Sequence, residues 1–229
     1  SNVREQYRGF TSTASDPTRI DWSRSGFDSR HQITYSLGYN AFDVVRINWF
    51  GTIRSGTPYT PTVGGDINGD GYTNDRAFLF NPATTSDAAL AQGMQALLTS
   101  GSPSARACLE SQLGHIAGRN SCQGPWTTSA NLSFSINPLK VKMPQRATLS
   151  IYVTNPLGGA DLLLHGENKL HGWGQPVFAD PTLLYVRGFD PNTGRYKYEV
   201  NQRFGNTNAA FNQFRQPVTV SVMLRCRTW

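Results

Sequence analysis

Hydrophobic and polar residues alternate along five stretches of the chain, which is the pattern of β-strands with one apolar face. The clearest stretch is 126–136, where Trp126, Leu132 and Phe134 lie on one side and Ser, Thr or Asn fill the positions between. The others are 31–39, 45–54, 147–154 and 218–224. We predict that these stretches form the main, antiparallel strands of the protein.

Further elements are predicted between and before these strands. Residues 1–27 are polar and irregular, and we predict a long loop there, with the end of an earlier strand at 3–7. Leucines recur at helical spacing after Ser86 or Asp87 and again after the Ser102-Pro103 pair, where Ser or Asp is a typical helix cap. The predictions are helices over 87–99 and 102–116, and a hairpin of 182–189 with 195–201 around the turn 190–194.

The connections between the main strands are alternately short and long. Residues 40–43 and 137–144 are short links, whereas 55–125 and 155–216 are far longer than ordinary connections. Antiparallel strands place alternate connections at opposite ends, so one end has tight turns and the other has large loops. This asymmetry is typical of outer-membrane barrels. We therefore predict an all-β fold: antiparallel strands of a partial transmembrane β-barrel, with long extracellular loops, one containing a short helical pair.

A soluble β-sandwich is the alternative fold, because it also alternates apolar and polar residues. The connection lengths favour the barrel. Five strands, or six with the stretch at 3–7, are fewer than the eight or so of the smallest single-chain barrels. We accordingly expect the chain to be part of a longer barrel.

Within the segment 64–78, Asp66, Asn68 and Asp70 place oxygen-bearing side chains at alternate positions. Calcium is bound by six to eight oxygens, and the D-x-[DN]-x-[DN]-G loop supplies the first ones in this spacing. Tyr72 would contribute its backbone carbonyl, and Asp75 would replace the usual final Glu, since Ala77 occupies that position. The alternative is a metal-free turn, for which Asn, Asp and Gly are ordinary residues. The predicted Ca²⁺ ligands are Asp66, Asn68, Asp70, Tyr72, Asn74 and Asp75.

Three cysteines are present, and two of them bracket a short segment rich in Gly, Asn and Ser. A disulfide between Cys108 and Cys122 would close a loop of about 15 residues, worth about 3 kcal/mol in the entropic description. Two free thiols in a reducing compartment are the alternative. We predict the disulfide, with Cys226 free.

Composition excludes several functional classes. The net charge is 21 − 15 = +6, but Lys and Arg are scattered, which argues against a nucleic-acid-binding stripe. No catalytic motif such as G-x-S-x-G or H-E-x-x-H occurs, so we expect neither an enzyme nor an organic cofactor.

Several segments together resemble one family, the Oar-like TonB-dependent receptors, in their C-terminal barrel region. The most specific are VGGDINGDGYTNDRAF, with the predicted metal loop, and CLESQLGHIAGRNSCQGPW, with the spaced cysteines. The others are RHQITYSLGYN, VVRINWFGTIRSGTPYTP and DPTLLYVRGFDPNTGRYKYEVNQRFG. The resemblance covers nearly the whole chain, so residues 1–229 are expected to form a C-terminal part of such a barrel.

The resemblance implies a location and partners. Such receptors are outer-membrane barrels of about 22 strands, closed by a plug domain and driven by the TonB complex. The expected partners are outer-membrane lipid, the rest of the barrel, the plug, TonB through the missing N-terminal part, and an unidentified bulky ligand. Short turns would be periplasmic and long loops extracellular. Polar strand residues, among them Arg46, Arg54, Asn131 and Tyr152, would line the lumen.

The alternative function is a secreted, calcium-dependent β-sandwich module that binds glycans. In that case Tyr59, Tyr72 and Trp126 would be stacking platforms for sugars. The barrel interpretation instead assigns these aromatic side chains to loop packing or to the membrane interface.

Overall fold

The computed structural model describes residues 2–5, 21–69, 71–143, 147–167, 170–207 and 216–226. These residues form mostly antiparallel β-sheet, with three short helices. The strands are β1 Asn2–Glu5, β2 Asp21–Arg24, β3 Gln32–Ala41, β4 Val45–Arg54, β5 Pro58–Tyr59, β6 Thr62–Gly64, β7 Cys122–Gln123, β8 Thr127–Ile136, β9 Ala147–Thr154, β10 Thr182–Asp190, β11 Arg195–Val200 and β12 Thr219–Cys226. The helices are α1 Ala88–Ser100, α2 Pro103–Glu110 and α3 Pro156–His165.

The chain divides into two compact units. The loop unit consists of Ser1–Ser29, Gly56–Pro125 and Phe178–Thr207. The sheet unit consists of Arg30–Ser55, Trp126–Val177 and Asn208–Trp229. Of the two long connections predicted from the sequence, the first lies almost entirely in the loop unit, whereas the second is divided between the two units.

The sheet unit is built on five antiparallel strands in the order β12-β9-β8-β4-β3. The predicted main strands are confirmed, and each one pairs with the next one along the chain. Their register is continuous, so side chains form rows across the sheet. One such row contains Leu37, Trp49, Leu132, Val153 and Val220.

The two faces of this sheet differ sharply in chemistry. Because side chains alternate along each strand, one face collects the apolar residues and the other collects the polar ones. The apolar face consists chiefly of Ile33, Tyr35, Leu37, Tyr39, Val45, Ile47, Trp49, Ile53, Ala130, Leu132, Phe134, Ile136, Ala147, Leu149, Ile151, Val153, Val220, Val222 and Leu224. Its edge strands are the least covered: Leu37 is 65% and Val222 66% exposed.

A tight turn joins β3 to β4. The amide of Val44 donates to the carbonyl of Ala41, and Phe42 and Asp43 both have positive φ angles, near +53° and +55°. This left-handed pair corresponds to the turn that suits the right-handed twist of a hairpin. The short predicted link therefore closes the hairpin as expected.

The loop unit has a buried hydrophobic core. Its helices α1 and α2 pack there, with Asp87 and Ser102 as their N-caps and Pro103 in the first turn of α2. The hairpin β10–β11 is confirmed, and β6 pairs in parallel with β10. The largest fully buried side chains of this core are Phe204, Leu79, Met94, Leu97, Leu109, Leu183, Leu184 and Val63.

Some predictions need correction. The segment predicted as a loop contains β2, which pairs with β1, while Tyr7 of the predicted early strand lies outside the described residues. Helix α2 ends at Glu110, because the side chains of Ser111 and Gln112 donate to the carbonyl of Cys108 and cap the last turn. The chain also contains α3, for which no prediction was made.

None of the helices in the described part of the chain is both long and apolar enough to cross a membrane.

Candidate functional site

The polar face of the five-stranded sheet carries charge of one sign only. The five strands contain three arginines, Arg46, Arg54 and Arg225, and no Asp, Glu or Lys. The register places all three on the polar face, together with Asn131 and Tyr152. Arg46, Arg54, Asn131 and Tyr152 were singled out from the sequence as polar-face residues. The remaining polar-face positions are mostly Ser, Thr, Asn and Gln. This face is therefore cationic and rich in hydroxyl and amide groups.

A cavity of 370 Å³ opens on this face near Arg54, at the end of β4 from which the long connection leaves. Its floor comes from β3, β4 and β8, and its wall comes from the segments that follow α3 and precede β12. None of the lining residues is acidic, and Arg54 carries the single charge. The lining consists of Gln32, Thr52, Arg54, Thr127, Thr128, Ser129, Gly174, Gln175, Pro176 and Gln216.

The arginine of the floor makes one side-chain hydrogen bond to a neighbouring strand. Gln32, Arg54 and Thr127 are direct neighbours across three strands, and Thr52 and Ser129 form the adjacent row. The Nε of Arg54 donates to the Oγ1 of Thr127 at 3.1 Å. No described residue accepts a hydrogen bond from its two terminal NH₂ groups. One contact thus orients the guanidinium, and its four terminal N–H donors remain available for a ligand.

The wall is attached to the sheet by several hydrogen bonds. The amide of Gly174 donates to the carbonyl of Thr128 at 3.0 Å, on the edge of β8 that β9 leaves unpaired. The side chain of Gln175 donates to the carbonyl of Gln216 at 3.0 Å and accepts from its amide at 2.8 Å. Asn155, the N-cap of α3, also donates to that carbonyl at 2.8 Å.

A buried carboxylate holds the segment that leads into the wall. Asp161 of α3 is 1% exposed and accepts hydrogen bonds from the backbone amides of His171, Gly172 and Trp173, at 3.1, 2.7 and 3.0 Å. The ring of His165 stacks on that of His171, with centroids 3.9 Å apart, and its Nδ1 lies 2.7 Å from the carboxylate.

These contacts determine the ionisation of Asp161. Burial acts to raise the pKa of the carboxyl group, because it removes water from the charged form. The hydrogen bonds from the three amides and from His165 favour the charged form and outweigh burial, so the pKa lies below its ordinary value. Asp161 therefore acts as an anionic clasp between α3 and residues 171–173.

The predicted metal loop uses its carboxylates to bind its own backbone. Asp66 accepts from the amides of Gly69 and Gly71, at 2.7 and 2.8 Å. Asp75, which is buried, accepts from the amide of Ile67 at 2.7 Å.

The other predicted ligands lie in different environments. Asn74 is buried, Asn68 and Tyr72 are exposed, and Asp70 lies outside the described residues. Within the described ranges, no three His, Cys, Asp or Glu side chains form a group that could hold a metal. Calcium binding, which depends on Asp70, stays a prediction.

The predicted disulfide is confirmed. Cys108 of α2 and Cys122 of β7 are bonded, with Cα atoms 5.3 Å apart, and Cys226 is free and exposed. The bridged segment also contacts β2, since Arg119 donates to the hydroxyl of Ser23 and Asn120 donates to the carbonyl of Arg24, both at 2.6 Å. The disulfide loop is therefore a fixed part of the loop unit.

Two of the aromatic residues singled out from the sequence have clear structural roles. Tyr59 packs on the core of the loop unit, its ring 5.8 Å from that of Phe204, and burial raises the pKa of its hydroxyl. Trp126 is 54% exposed and stacks on His31 of the sheet unit.

Sequence reasoning missed Asp161, Gln175 and Gln216. The available signal was local: Asn155-Pro156 matches an N-cap followed by proline, and Gly166 matches a helix end. These residues would have indicated α3, but not the partners of Asp161.

Comparisons with protein-family models, with curated proteins and with solved structures found no match for this chain. The resemblance to the receptor family therefore remains a prediction from the sequence.

Proposed function

We propose that the chain is a strand segment of an outer-membrane receptor barrel of the Oar-like TonB-dependent type, which binds or transports a bulky ligand. One observation carries this proposal: the apolar face of the five-stranded sheet is largely uncovered. On its edge strands, Ile33, Tyr39, Val220 and Leu224 are all more than half exposed. Water is a poor solvent for so large and continuous an apolar patch, whereas lipid is a good one.

The dimensions of the sheet fit a membrane. Strands β3, β4 and β8 have ten residues each. A strand of this length, tilted by about 45°, crosses the hydrocarbon layer. The uncovered face thus has the height required of a lipid-facing surface.

Aromatic residues lie near both ends of the same face. His31 and Trp126 stack with ring centroids 6.3 Å apart at one end, and Tyr39 and Phe42 are 67% and 94% exposed at the other. Trp and Tyr favour the two membrane–water interfaces, because their rings are partly apolar and partly polar. The two pairs would therefore mark the borders of the lipid-facing band.

The sheet edges indicate further strands. Among the described residues, no strand pairs with the outer edge of β3 or of β12. In lipid, the free backbone groups of these edges would each cost several kcal/mol, so membrane strands belong to closed barrels. We infer that the rest of the barrel supplies their partners, and that a plug and the TonB complex act with it.

The orientation that we propose rests on the position of the long connections. The turn between β3 and β4 is short, whereas the connections that leave β4 and β9 supply the loop unit and α3. In outer-membrane barrels the longer connections are extracellular. The loop unit, with its own core and disulfide, would then face the medium and meet the ligand.

A matched pair of cysteine variants tests the proposal. Leu37→Cys and Ser36→Cys lie next to each other on β3 but on opposite faces, and both would be made with Cys226→Ser to remove the exposed thiol. With the protein in bilayers, the experiment measures how strongly each spin label is relaxed by oxygen, which concentrates in lipid, and by a nickel chelate, which stays in water.

We expect the label at residue 37 to respond to oxygen and the label at residue 36 to the nickel chelate. Equal access of the nickel chelate to both labels would refute a lipid-facing surface. It would support the secreted, glycan-binding module instead.

A further inference from the structure

We propose that the cavity at Arg54 binds the oxyanion of a hydroxyl-rich ligand, such as a carboxylated or phosphorylated sugar unit. The inference rests on the proposed function in one respect: it names the chemical class of ligand that the polar side of the barrel segment would accept. Three properties of the site favour this class of ligand: its positive charge, the free N–H donors of Arg54 and the hydrogen bonds that hold the cavity wall.

The charge of the surrounding face favours anions. Three arginines project from five strands that contain no acidic residue, so nothing on these strands neutralises them. A surface of one sign, beside an apolar region of low dielectric constant, concentrates ligands of the opposite charge. This effect draws anions toward the face but does not select one position on it.

Arg54 supplies the specific position. Its Nε is held by Thr127, while its terminal NH₂ groups have no described acceptor. A carboxylate or phosphoryl group can accept two parallel hydrogen bonds from such a pair of donors, in the geometry that makes arginine the preferred residue for these groups. Neither of the other two arginines lines this cavity.

The neighbouring side chains fit sugar hydroxyls. Gln32, Thr52 and Ser129 lie around Arg54 on adjacent strands, and their side chains form no hydrogen bond with any described residue. Each can both donate and accept, as a hydroxyl group of a sugar does. The cavity of 370 Å³ lies near the lower end of the range for small-ligand sites, which suits one sugar unit of a larger ligand.

The cavity wall is held in place by hydrogen bonds within the protein. The Gln175–Gln216 pair and the bond from Gly174 to Thr128 close it, and Asp161 fixes the preceding residues. Gly174 has a φ of +67°, a conformation that favours glycine, and the side chain of Asn155 lies against it. A fixed site loses little entropy on binding, which favours affinity.

Calorimetric titration of the protein with three probes tests the inference. The probes share the sugar ring: glucuronate carries a carboxylate, glucose 6-phosphate carries a phosphoryl group, and glucose carries no oxyanion. We expect at least one of the two anions to bind about tenfold tighter than glucose, the order of effect for charge-assisted hydrogen bonds. The stronger of the two shows whether the oxyanion is a carboxylate or a phosphoryl group.

Two variants with the same change in charge locate the site. Arg54→Gln should abolish the preference for the anion, whereas Arg225→Gln, which also removes one charge from this face but lies outside the cavity, should preserve it. Thr127→Val, which frees the guanidinium from its partner, should weaken anion binding by a smaller factor. Circular dichroism of each variant verifies that the sheet is retained.

Three results would overturn the inference: equal affinity for glucose and both anions, no measurable anion binding, or equal losses in Arg54→Gln and Arg225→Gln. None of them bears on the spin-label experiment, which concerns the opposite face. If the protein binds the anion but the spin labels show that both sheet faces are in water, only the membrane proposal is refuted.

Discussion

The indole N–H of Trp49 donates a hydrogen bond to the hydroxyl oxygen of Tyr35, at 3.0 Å, across the β3–β4 pair. The same tyrosine is directly opposite Gly51, and its ring covers that glycine. A Cβ atom at residue 51 would lie 2.6 Å from the Tyr35 hydroxyl and would also meet the carbonyl of Ser129. Tyrosine thus fills the space that glycine leaves in the sheet.

The first prediction concerns this contact. Gly51→Ala should lower the free energy of unfolding by about 2 kcal/mol, because the added methyl group displaces Tyr35 or the neighbouring strand. Thermal unfolding in detergent measures the change. Gly38→Ala is the matched control, since the nearest atom to its Cβ is 3.5 Å away. Similar losses in both variants would mean that the contact with Tyr35 is not the cause.

The second prediction concerns the clasp at Asp161. Asp161→Asn should lower the free energy of unfolding by about 2 kcal/mol, which is the scale of a hydrogen bond to a charged group. It should also speed hydrogen exchange at the amides of residues 171–173. Asp190→Asn is the control, because that carboxylate binds the amide of Asn192 within its own turn in the loop unit and has no recorded contact with residues 171–173. Unchanged exchange at residues 171–173 would show that the clasp does not hold this segment.

The clasp also predicts a pH dependence. The pKa of Asp161 is lowered on folding, so its ionised form stabilises the fold. This stabilisation is complete above the pKa of an unfolded aspartate, about 4, and is lost as the pH falls through the lower folded value. The protection of the amides of residues 171–173, measured relative to their intrinsic exchange rates, should therefore fall only in that acidic range, and in Asp161→Asn it should lose this dependence.

The third prediction concerns the disulfide. Replacing Cys108 and Cys122 together by Ser should destabilise the loop unit by about 3 kcal/mol, because the bridge restricts the unfolded chain. Chemical unfolding followed by circular dichroism, with and without a reductant, measures the loss. Cys226→Ser should have no effect, since that thiol is exposed and unbonded. A wild-type protein whose stability is unaffected by the reductant would contradict this prediction.

The fourth prediction separates calcium from the hydrogen bonds of the loop. Chelation should expose residues 64–78 of the wild-type protein in membranes to protease, and Asp70→Ala should be cleaved there with or without calcium. Asp75→Asn should also be cleaved in both conditions, because that carboxylate holds the amide of Ile67. If calcium leaves wild-type cleavage unchanged, the loop is a metal-free turn.

Local pattern was sufficient for most of the elements. Alternation has a period of two residues, so the strands β3, β4, β8, β9 and β12 could be predicted from short windows of sequence. The caps Asp87 and Ser102 located the starts of α1 and α2, because a helix cap is also recognised from a few neighbouring residues. Helix α3 was not predicted, because Gly158 and Gly159 lower its helix propensity and because its buried side depends on contacts with residues outside the helix.

The sequence by itself therefore determined the five main strands, the helical pair, the cysteine pairing and the separation of polar from apolar faces. Only the tertiary structure decided which residues are buried. The long connections form the packed core around Phe204 and Met94, whereas the apolar strand faces stay largely uncovered. It also decided that Asp161 meets residues 171–173 and that Arg54 and Gln175 line the same cavity. These pairings are distant along the chain, and no local pattern encodes which side chains come together when it folds.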